Sequence, residues 1–188
     1  MIYLNEDDLI GQGSERKYYL HPEDKNKGIK VSFERKIGRS KQSDIEIKYY
    51  KELQKNKKMS YKHLPKFYEE VQTDQGLGFV VEVVRDYTGE ISKSFKYYID
   101  TYGVEKYENE LEEYKQYLLD YLVIFNYGMM PKNILLRYTS ESEAELVLID
   151  GVGDITYFTF PNKIPLLARR KIQRRWIKFV NKYLKKDK

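Results

Sequence analysis

At 188 residues the chain is long enough to bury one substantial core, or two small lobes, without disulfides or metals. It has no cysteine, which excludes a disulfide framework, a thiolate zinc site and a thiol nucleophile. The net charge of +5 is modest for this size and is concentrated in residues 168–188. No apolar run approaches the roughly 20 residues of a membrane helix, and no apolar signal segment follows Met1, so we expect a cytoplasmic protein.

The first 84 residues alternate short β-like runs with polar turns, which predicts a small antiparallel sheet. One segment differs, because apolar residues recur at helical spacing from Ile45 onward. Ser43 or Asp44 is placed to cap that helix. We therefore expect an N-terminal lobe of five strands and one helix. The strands are predicted at residues 9–10, 17–20, 28–33, 67–72 and 77–84, and the helix at 44–55.

Residues 85–188 have a different pattern, mainly helical from Glu90 onward. An apolar and aromatic stripe at spacings of three and four predicts a helix that reaches Phe125, and a second amphipathic helix is predicted at 164–184. These residues predict a reduced, mainly helical lobe, and the whole chain a single α+β domain. The first stripe consists of Leu111, Tyr114, Leu118, Tyr121, Leu122 and Phe125, and the second of Ile172, Trp176, Val180 and Leu184.

Two short strand-like runs lie between these helices, at residues 134–138 and 145–149. The turn that joins them would bring Asn133 and Asp150 to the mouth of one hairpin. Mg²⁺ prefers carboxylate and amide oxygens together with phosphate oxygens. The hairpin therefore predicts a metal site that the phosphates of a nucleotide would complete.

Single motifs in the first lobe are weak signals. Gly11–Gln12–Gly13 could form an ordinary bulged turn, and Lys30 could be a solvated strand residue. Their order along the chain is more specific, since a glycine loop, a strand lysine, the helix residue Glu46, an asparagine and a strand ending in aspartate follow one another as in protein kinases. In that arrangement glycine N–H groups approach phosphates, and Glu46 holds the Lys30 ammonium beside them.

One essential part of that arrangement is missing. Residues 126–136 and 146–151 have the outline of a kinase catalytic loop and metal-binding strand. The general-base aspartate is expected five residues before Asn133, where this chain has Gly128. Asp154, about one helical turn after Asp150, is a candidate rescue base, and the alternative is a loop carboxylate that caps the next segment.

Six segments spread over nearly the whole chain are typical of one bacterial family. They are residues 10–17, 21–24 (His–Pro–Glu–Asp, the most distinctive), 29–31, 46–50, 78–81 and 131–135. Through them the chain resembles the YrbL family of PhoP regulatory network proteins, which have a protein-kinase-like domain.

The resemblance implies a compact protein-kinase-like fold and a place in a PhoP-type stress or magnesium-response network. ATP and Mg²⁺ are the implied cofactors. The wider kinase superfamily implies the roles of the matching positions: Gly11 and Gly13 over the phosphates, Lys30 paired with Glu46, Glu82 with Val84 at an adenine-binding hinge, and Asn133 with Asp150 as metal ligands.

Departures from the kinase pattern leave more than one function open. Arg16 replaces the third glycine of the loop, Gly151–Val152 replaces the usual Phe–Gly, and residues 151–188 are too few for a full substrate-binding lobe. Our leading hypothesis is an ATP- and magnesium-binding protein that acts as an atypical phosphotransferase or a nucleotide-gated regulator. The alternative is a catalytically inactive pseudokinase that acts on an unidentified protein partner.

The basic C-terminal helix offers a third function, binding to nucleic acid or an anionic membrane surface. We favour a docked amphipathic helix instead, because Trp176 shares the apolar spacing of Ile172 and Val180. His21 and His63 lie near prolines without acidic or cysteine companions, so we expect structural roles for both. The basic residues are Arg169, Arg170, Lys171, Arg174, Arg175, Lys178 and Lys182.

Overall fold

The computed structural model describes residues 1–13, 15–32, 41–126, 129–154 and 164–185, with Lys41 described by its backbone alone. The chain divides into two compact units, Met1–Asn56 with Pro65–Val84 and Lys57–Leu64 with Arg85–Lys188. One boundary between the units falls after Val84, and residues 57–64 group with the second unit. That the two units form a single domain stays a prediction.

The first unit contains the five predicted strands as one antiparallel sheet, in the order β1-β2-β3-β5-β4. Side chains alternate between its two faces. Ile29 and Val31 pack with Val80 in a buried cluster on one face. Arg16 lies opposite Ser32 in the register of β2 and β3. The strands are β1 (Leu9–Gln12), β2 (Arg16–Leu20), β3 (Lys27–Ser32), β4 (Phe67–Thr73) and β5 (Gly76–Glu82).

Helix α1 (Lys41–Gln54) begins earlier than predicted. Ser43 and Asp44 therefore lie inside the helix, and the expectation that one of them caps it is wrong. The Ser43 hydroxyl instead shares a hydrogen bond of 2.9 Å with the Ser32 hydroxyl on β3. Further along α1, the ring of Tyr50 stacks on Phe67 of β4 with a centroid distance of 5.7 Å. Polar and aromatic contacts thus hold α1 against the sheet.

The second unit contains α2 (Phe95–Tyr102), α3 (Glu108–Asp120) and α4 (Pro165–Phe179), and α4 continues as a π-helical turn over Val180–Leu184. Tyr114 of α3 meets Trp176 of α4 edge to face, with ring centroids 6.0 Å apart. The sequence prediction that Trp176 belongs to the core is confirmed, since its side chain is buried.

Helix α3 ends sooner than its apolar stripe suggested. Leu122 has a φ of 54°, in the left-handed region, which reverses the chain direction after α3. The Val123 N–H then donates to the Leu118 carbonyl at 2.9 Å, which satisfies an end group of the helix. Phe125 is buried, but it lies in a non-helical segment after α3. The predicted extension of the helix to Phe125 is therefore wrong.

The predicted hairpin is present as β6 (Ile134–Tyr138) and β7 (Ala144–Leu148), which pair antiparallel with Ile134 opposite Leu148. A 3-10 turn at Pro131–Asn133 precedes it. Among the residues that the structure describes, no helix is both long enough and apolar enough to cross a membrane.

Candidate functional site

The predicted ion pair between the strand lysine and the helix glutamate is present in the first unit. The Lys30 ammonium on β3 lies 2.9 Å from Oε1 of Glu46 on α1. Glu46 is completely buried, and the Lys30 side chain is only 9% exposed. The ammonium also lies 5.5 Å from the ring centroid of Phe79 on β5. Helix and sheet therefore fix the lysine in one position.

Arg16 is a member of this cluster that the sequence analysis did not predict. Its Nη1 donates to the other oxygen of Glu46, Oε2, at 2.8 Å. Arg16 stands where kinases have their third loop glycine, so a residue first noted as a departure neutralises the same carboxylate as Lys30. A signal was present in the strand alternation, because Arg16 and Lys30 face the same side once β2 and β3 are placed in register.

The two glycines of the predicted glycine loop lie at the end of β1, with Gly11 inside the strand and Gly13 directly after it. Gly11 lies at a bulge in the pairing of β1 with β2, and the Gly13 N–H donates to the Arg16 carbonyl at 2.8 Å. A Cβ atom at Gly11 or Gly13 would make only ordinary contacts with the rest of the described chain. Packing against the described residues therefore does not explain why both positions are glycine.

Of the predicted hinge residues, Glu82 is the last residue of β5 and Val84 lies two residues beyond it. The Glu82 carboxylate accepts a hydrogen bond from the Lys66 N–H at 3.1 Å, so this side chain secures the start of β4. The Glu82 carbonyl accepts a hydrogen bond from the Tyr18 hydroxyl at 3.1 Å. Val84 is buried at the last residue of the first unit.

In the second unit, Asn133 and Asp150 lie at adjacent ends of the hairpin, as predicted. The Ile149 N–H donates to the Asn133 carbonyl at 2.9 Å, which continues the pairing of β6 and β7 by one step. Asp150 follows directly, and its carboxylate accepts from the Gly151 N–H at 2.6 Å. Both side chains are partly exposed. No group of three or more His, Asp or Glu side chains able to hold a metal occurs among the described residues.

The segment after Asp150 pairs with Phe125 and Asn126, at the start of the segment that resembles a kinase catalytic loop. Phe125 and Val152 form an antiparallel bridge, and the Asn126 N–H donates to the Gly151 carbonyl at 2.8 Å. Gly151 has a φ of 86°, and a Cβ there would lie 3.1 Å from Oδ1 of Asn126. The replacement of the usual phenylalanine by glycine thus has a local structural reason. Gly128, at the position of the missing base, lies outside the described residues.

Asp154 is buried beside the C-terminal helix. Its Oδ1 accepts from Nη2 of Arg175 at 2.9 Å, and its Oδ2 pairs with the ammonium of Lys171. The Asp154 side chain is only 2% exposed. Two cations on α4 therefore pair with both oxygens of this buried carboxylate, which is a structural arrangement. Its role as a rescue base stays a prediction without support from this geometry.

The basic face of α4 is smaller than the sequence suggested. Arg175 is almost fully buried, since one nitrogen meets Asp154 and another donates to the Phe125 carbonyl. Lys171 is committed to Asp154 as well. The remaining basic positions of the helix are exposed: Arg169, Arg170, Arg174, Lys178 and Lys182.

Both histidines occupy positions that suit structural roles. His63 is buried, with Nδ1 2.7 Å from the Leu146 carbonyl of β7 and its ring 4.7 Å from the ring of Tyr117. Burial lowers the pKa of His63, although the Leu146 carbonyl and the carboxylate of Glu113 act in the opposite direction. His21 accepts a hydrogen bond from the Glu23 N–H in a turn.

The fold belongs to the kinase-like class. It is similar to a crystal structure of Rad53, a protein kinase, residues 1–466 in complex with AMP-PNP, with a TM-score of 0.50 and 14% identity. The similarity covers 77% of this chain and 37% of that one, so the chain spans little more than a third of the solved chain's length.

The sequence matches the family model of the PhoP regulatory network protein YrbL over residues 2–184. The YrbL protein of Escherichia coli (strain K12) is 32% identical over 184 residues, which cover 96% of this chain and 87% of that protein. The YrbL protein of Shigella flexneri gives the same values. The chain therefore belongs to the YrbL family, and the sequence prediction of this family is confirmed.

Proposed function

We propose that this YrbL-family protein binds ATP with Mg²⁺ and acts as an atypical phosphotransferase or a nucleotide-gated regulator in a PhoP-type network. The observation that carries the proposal is the buried ion pair between Lys30 and Glu46. Burial of charged groups is costly unless they are paired and hydrogen-bonded, and Glu46 satisfies this requirement with two cations. A carboxylate that positions a lysine is what a phosphate-binding ammonium requires.

The other predicted ligand groups fit the same chemistry. The amide of Asn133 and the carboxylate of Asp150 provide two hard oxygen donors at the end of one hairpin. Mg²⁺ keeps near-octahedral geometry and takes its remaining ligands from water and phosphate, so two protein donors are enough when a triphosphate is present. Bound Mg²⁺ would neutralise phosphate charge, while Lys30 would hold the phosphate chain in place.

Phosphoryl transfer depends mainly on positioning and electrostatics, so loss of a general base does not exclude turnover. Such a loss typically lowers the rate on the order of 10² to 10⁴. We assign Asp154 no catalytic part, because Lys171 and Arg175 engage both of its carboxylate oxygens. Any transfer by this protein is therefore expected to be slow.

Thermal denaturation with and without Mg-ATP tests the binding. Ligand at about 100 times its Kd stabilises the folded state by about 2.7 kcal/mol, which gives a clear rise in Tm. We expect Lys30→Met and Asp150→Asn to remove the rise. Lys27→Met is the matched control, since Lys27 lies on the same strand but is paired with Asp24. Absence of any rise in the unmodified protein would refute the proposal.

A pseudokinase module is the second candidate, favoured by Gly128 at the base position and by the ion pairs of Asp154. A measurement of turnover distinguishes the pseudokinase from a phosphotransferase. Phosphate release or autophosphorylation that disappears in Asp150→Asn supports a phosphotransferase, whereas binding without measurable release supports the inactive module with a protein partner.

Polyanion binding through α4 is a third candidate, favoured by the exposed arginines and lysines of that helix. Binding of nucleic acid would weaken steeply with salt, because each neutralised phosphate releases counterions. The triple variant Arg169→Gln, Arg170→Gln, Arg174→Gln should then lower both the affinity and its salt dependence, and unchanged binding would exclude this surface.

A further inference from the structure

Tyr18 of β2 lies directly against the backbone of Gly28 on β3. A Cβ atom at Gly28 would overlap the phenol ring of Tyr18, so this contact requires glycine at position 28. The Tyr18 hydroxyl donates to the carbonyl of Glu82, at the end of β5, with an O···O distance of 3.1 Å. The side chain thus connects the surface above Gly28 with the strand end that was predicted to bind a base.

These contacts lie on the same face of the sheet as the buried lysine. Tyr18 is opposite Lys30 in the register, and Gly28 is two residues before Lys30 on one strand. Side chains two residues apart on a strand share a face. The Tyr18 side chain therefore lies on the same face of the sheet as the side chain of Lys30, the candidate phosphate-binding group.

A nucleobase at this segment would need the two features that Tyr18 uses. It needs a surface for its ring, and a purine such as adenine needs a carbonyl to accept a hydrogen from its exocyclic amine. The ring of Tyr18 covers Gly28, and its hydroxyl engages the Glu82 carbonyl. An incoming base would have to displace the Tyr18 side chain. The packing and the hydrogen bond of Tyr18 would then be lost, which offsets the affinity that the base contributes.

We propose that the Tyr18 side chain fills the base position, so that the protein recognises a magnesium-bound triphosphate and discriminates little between bases. This assignment depends on the proposed function, since it takes the protein to bind Mg-ATP with Lys30 at the phosphates. It concerns the ligand class of the same site: a polyphosphate end with a base that contributes little.

Calorimetric titration of the full chain with Mg-ATP, Mg-GTP and Mg-tripolyphosphate tests the proposal. For the unmodified protein we expect three dissociation constants within about threefold of one another, because the base gains little net free energy. In Tyr18→Ala the vacated position admits a base, and we expect ATP to bind about tenfold tighter or more while tripolyphosphate is unchanged. Tyr3→Ala, which alters an exposed tyrosine of the same unit, should change nothing.

Three outcomes are distinguishable. Similar affinities in the unmodified protein, with an ATP-specific gain in Tyr18→Ala, support the filled position. If the unmodified protein already binds ATP at least about tenfold more tightly than tripolyphosphate, the base has its own place and the proposal is overturned while the proposed function survives. If none of the three ligands binds either protein, the proposed function fails and this assignment fails with it.

Tyr18→Phe provides a second test in case the alanine variant does not fold. It keeps the ring over Gly28 and removes only the hydrogen bond to Glu82, so we expect a smaller ATP-specific gain than in Tyr18→Ala. An equal loss of affinity for ATP and tripolyphosphate in Tyr18→Phe would contradict the proposal. The comparison of ligands in the unmodified protein requires no variant at all.

Discussion

Each unit of the molecule buries one carboxylate between two cations. In the first unit Glu46 meets Lys30 and Arg16, and in the second Asp154 meets Lys171 and Arg175. The side chains of both acids are at most 2% exposed. Similar chemistry thus occurs twice. The sequence suggested a positioning role for Glu46, whereas for Asp154 it left open a rescue base or a structural loop carboxylate.

The source of the cations separates the two clusters. The partners of Glu46 come from two strands, β2 and β3, so the acid on α1 orients groups of the sheet. Both partners of Asp154 come from α4 at a spacing of four residues, so this acid secures a single helix. Burial of a carboxylate therefore does not indicate its role by itself, and the elements that supply its cations have to be considered as well.

The largest expected effect is loss of stability when Asp154 is neutralised. Asp154→Asn leaves two cations near a site made for a carboxylate, and removal of one partner of a buried ion pair typically costs about 3–5 kcal/mol. Chemical denaturation measures the loss. Asp100→Asn is the control, because its pair with Lys96 is exposed and contributes little. A loss as small as that of the control would mean that Asp154 is not a structural anchor.

The two cations of Glu46 provide the next test. Lys30→Met or Arg16→Met removes one charge-assisted hydrogen bond and leaves the other, so each should cost about 1.5–3 kcal/mol of stability. Only Lys30→Met should also abolish Mg-ATP binding, measured by calorimetry. Equal loss of binding in Arg16→Met would show that both cations act on the ligand, and the first cluster would then be more functional than we infer.

The sequence was most informative for features that depend on patterns along the chain, such as strand alternation and the order of motifs. Alternation placed the five strands. The motif order identified Lys30 and Glu46, which form an ion pair, and Asn133 and Asp150, which lie at adjacent ends of one hairpin. Arg16 was missed because its partnership depends on the register between β2 and β3, which the motif order does not specify.

Long-range contacts account for the remaining differences. The ion pairs of Asp154 involve residues 17 and 21 positions later, so they depend on where α4 packs. The end of α3 depends on a left-handed backbone at Leu122, a conformation that leucine rarely adopts and composition cannot indicate. Ser43 or Asp44 was expected to cap α1 because both are polar residues just before the apolar spacing. The bond of Ser43 to Ser32 depends on how the helix packs on the sheet, which the local sequence does not show.

The stability of the second unit should depend on pH through His63. Its pKa is lowered in the folded protein, chiefly by burial, so the unfolded chain binds a proton near the ordinary value of 6.5 while the folded protein does not. Stability should therefore fall as the pH drops below 6.5, by at most about 1.4 kcal/mol per pH unit for one proton. Denaturation at pH 7 and pH 5.5 measures the change. His63→Gln should reduce this change, and a pH dependence that is the same in His63→Gln would assign it to other groups.

The smallest expected effect concerns the uncharged contact that also holds α1. The hydroxyls of Ser43 and Ser32 are 2.9 Å apart and both residues are buried. Ser43→Ala should lower the free energy of unfolding by about 1 kcal/mol, the usual net value of one hydrogen bond. In a double-mutant cycle, Ser32→Ala should then cost less in the Ser43→Ala background than alone, because the shared bond is already absent. If Ser43→Ala instead cost more than Lys30→Met, the hydroxyl pair would be the main anchor of α1, and the burial of Glu46 would serve chiefly to position Lys30.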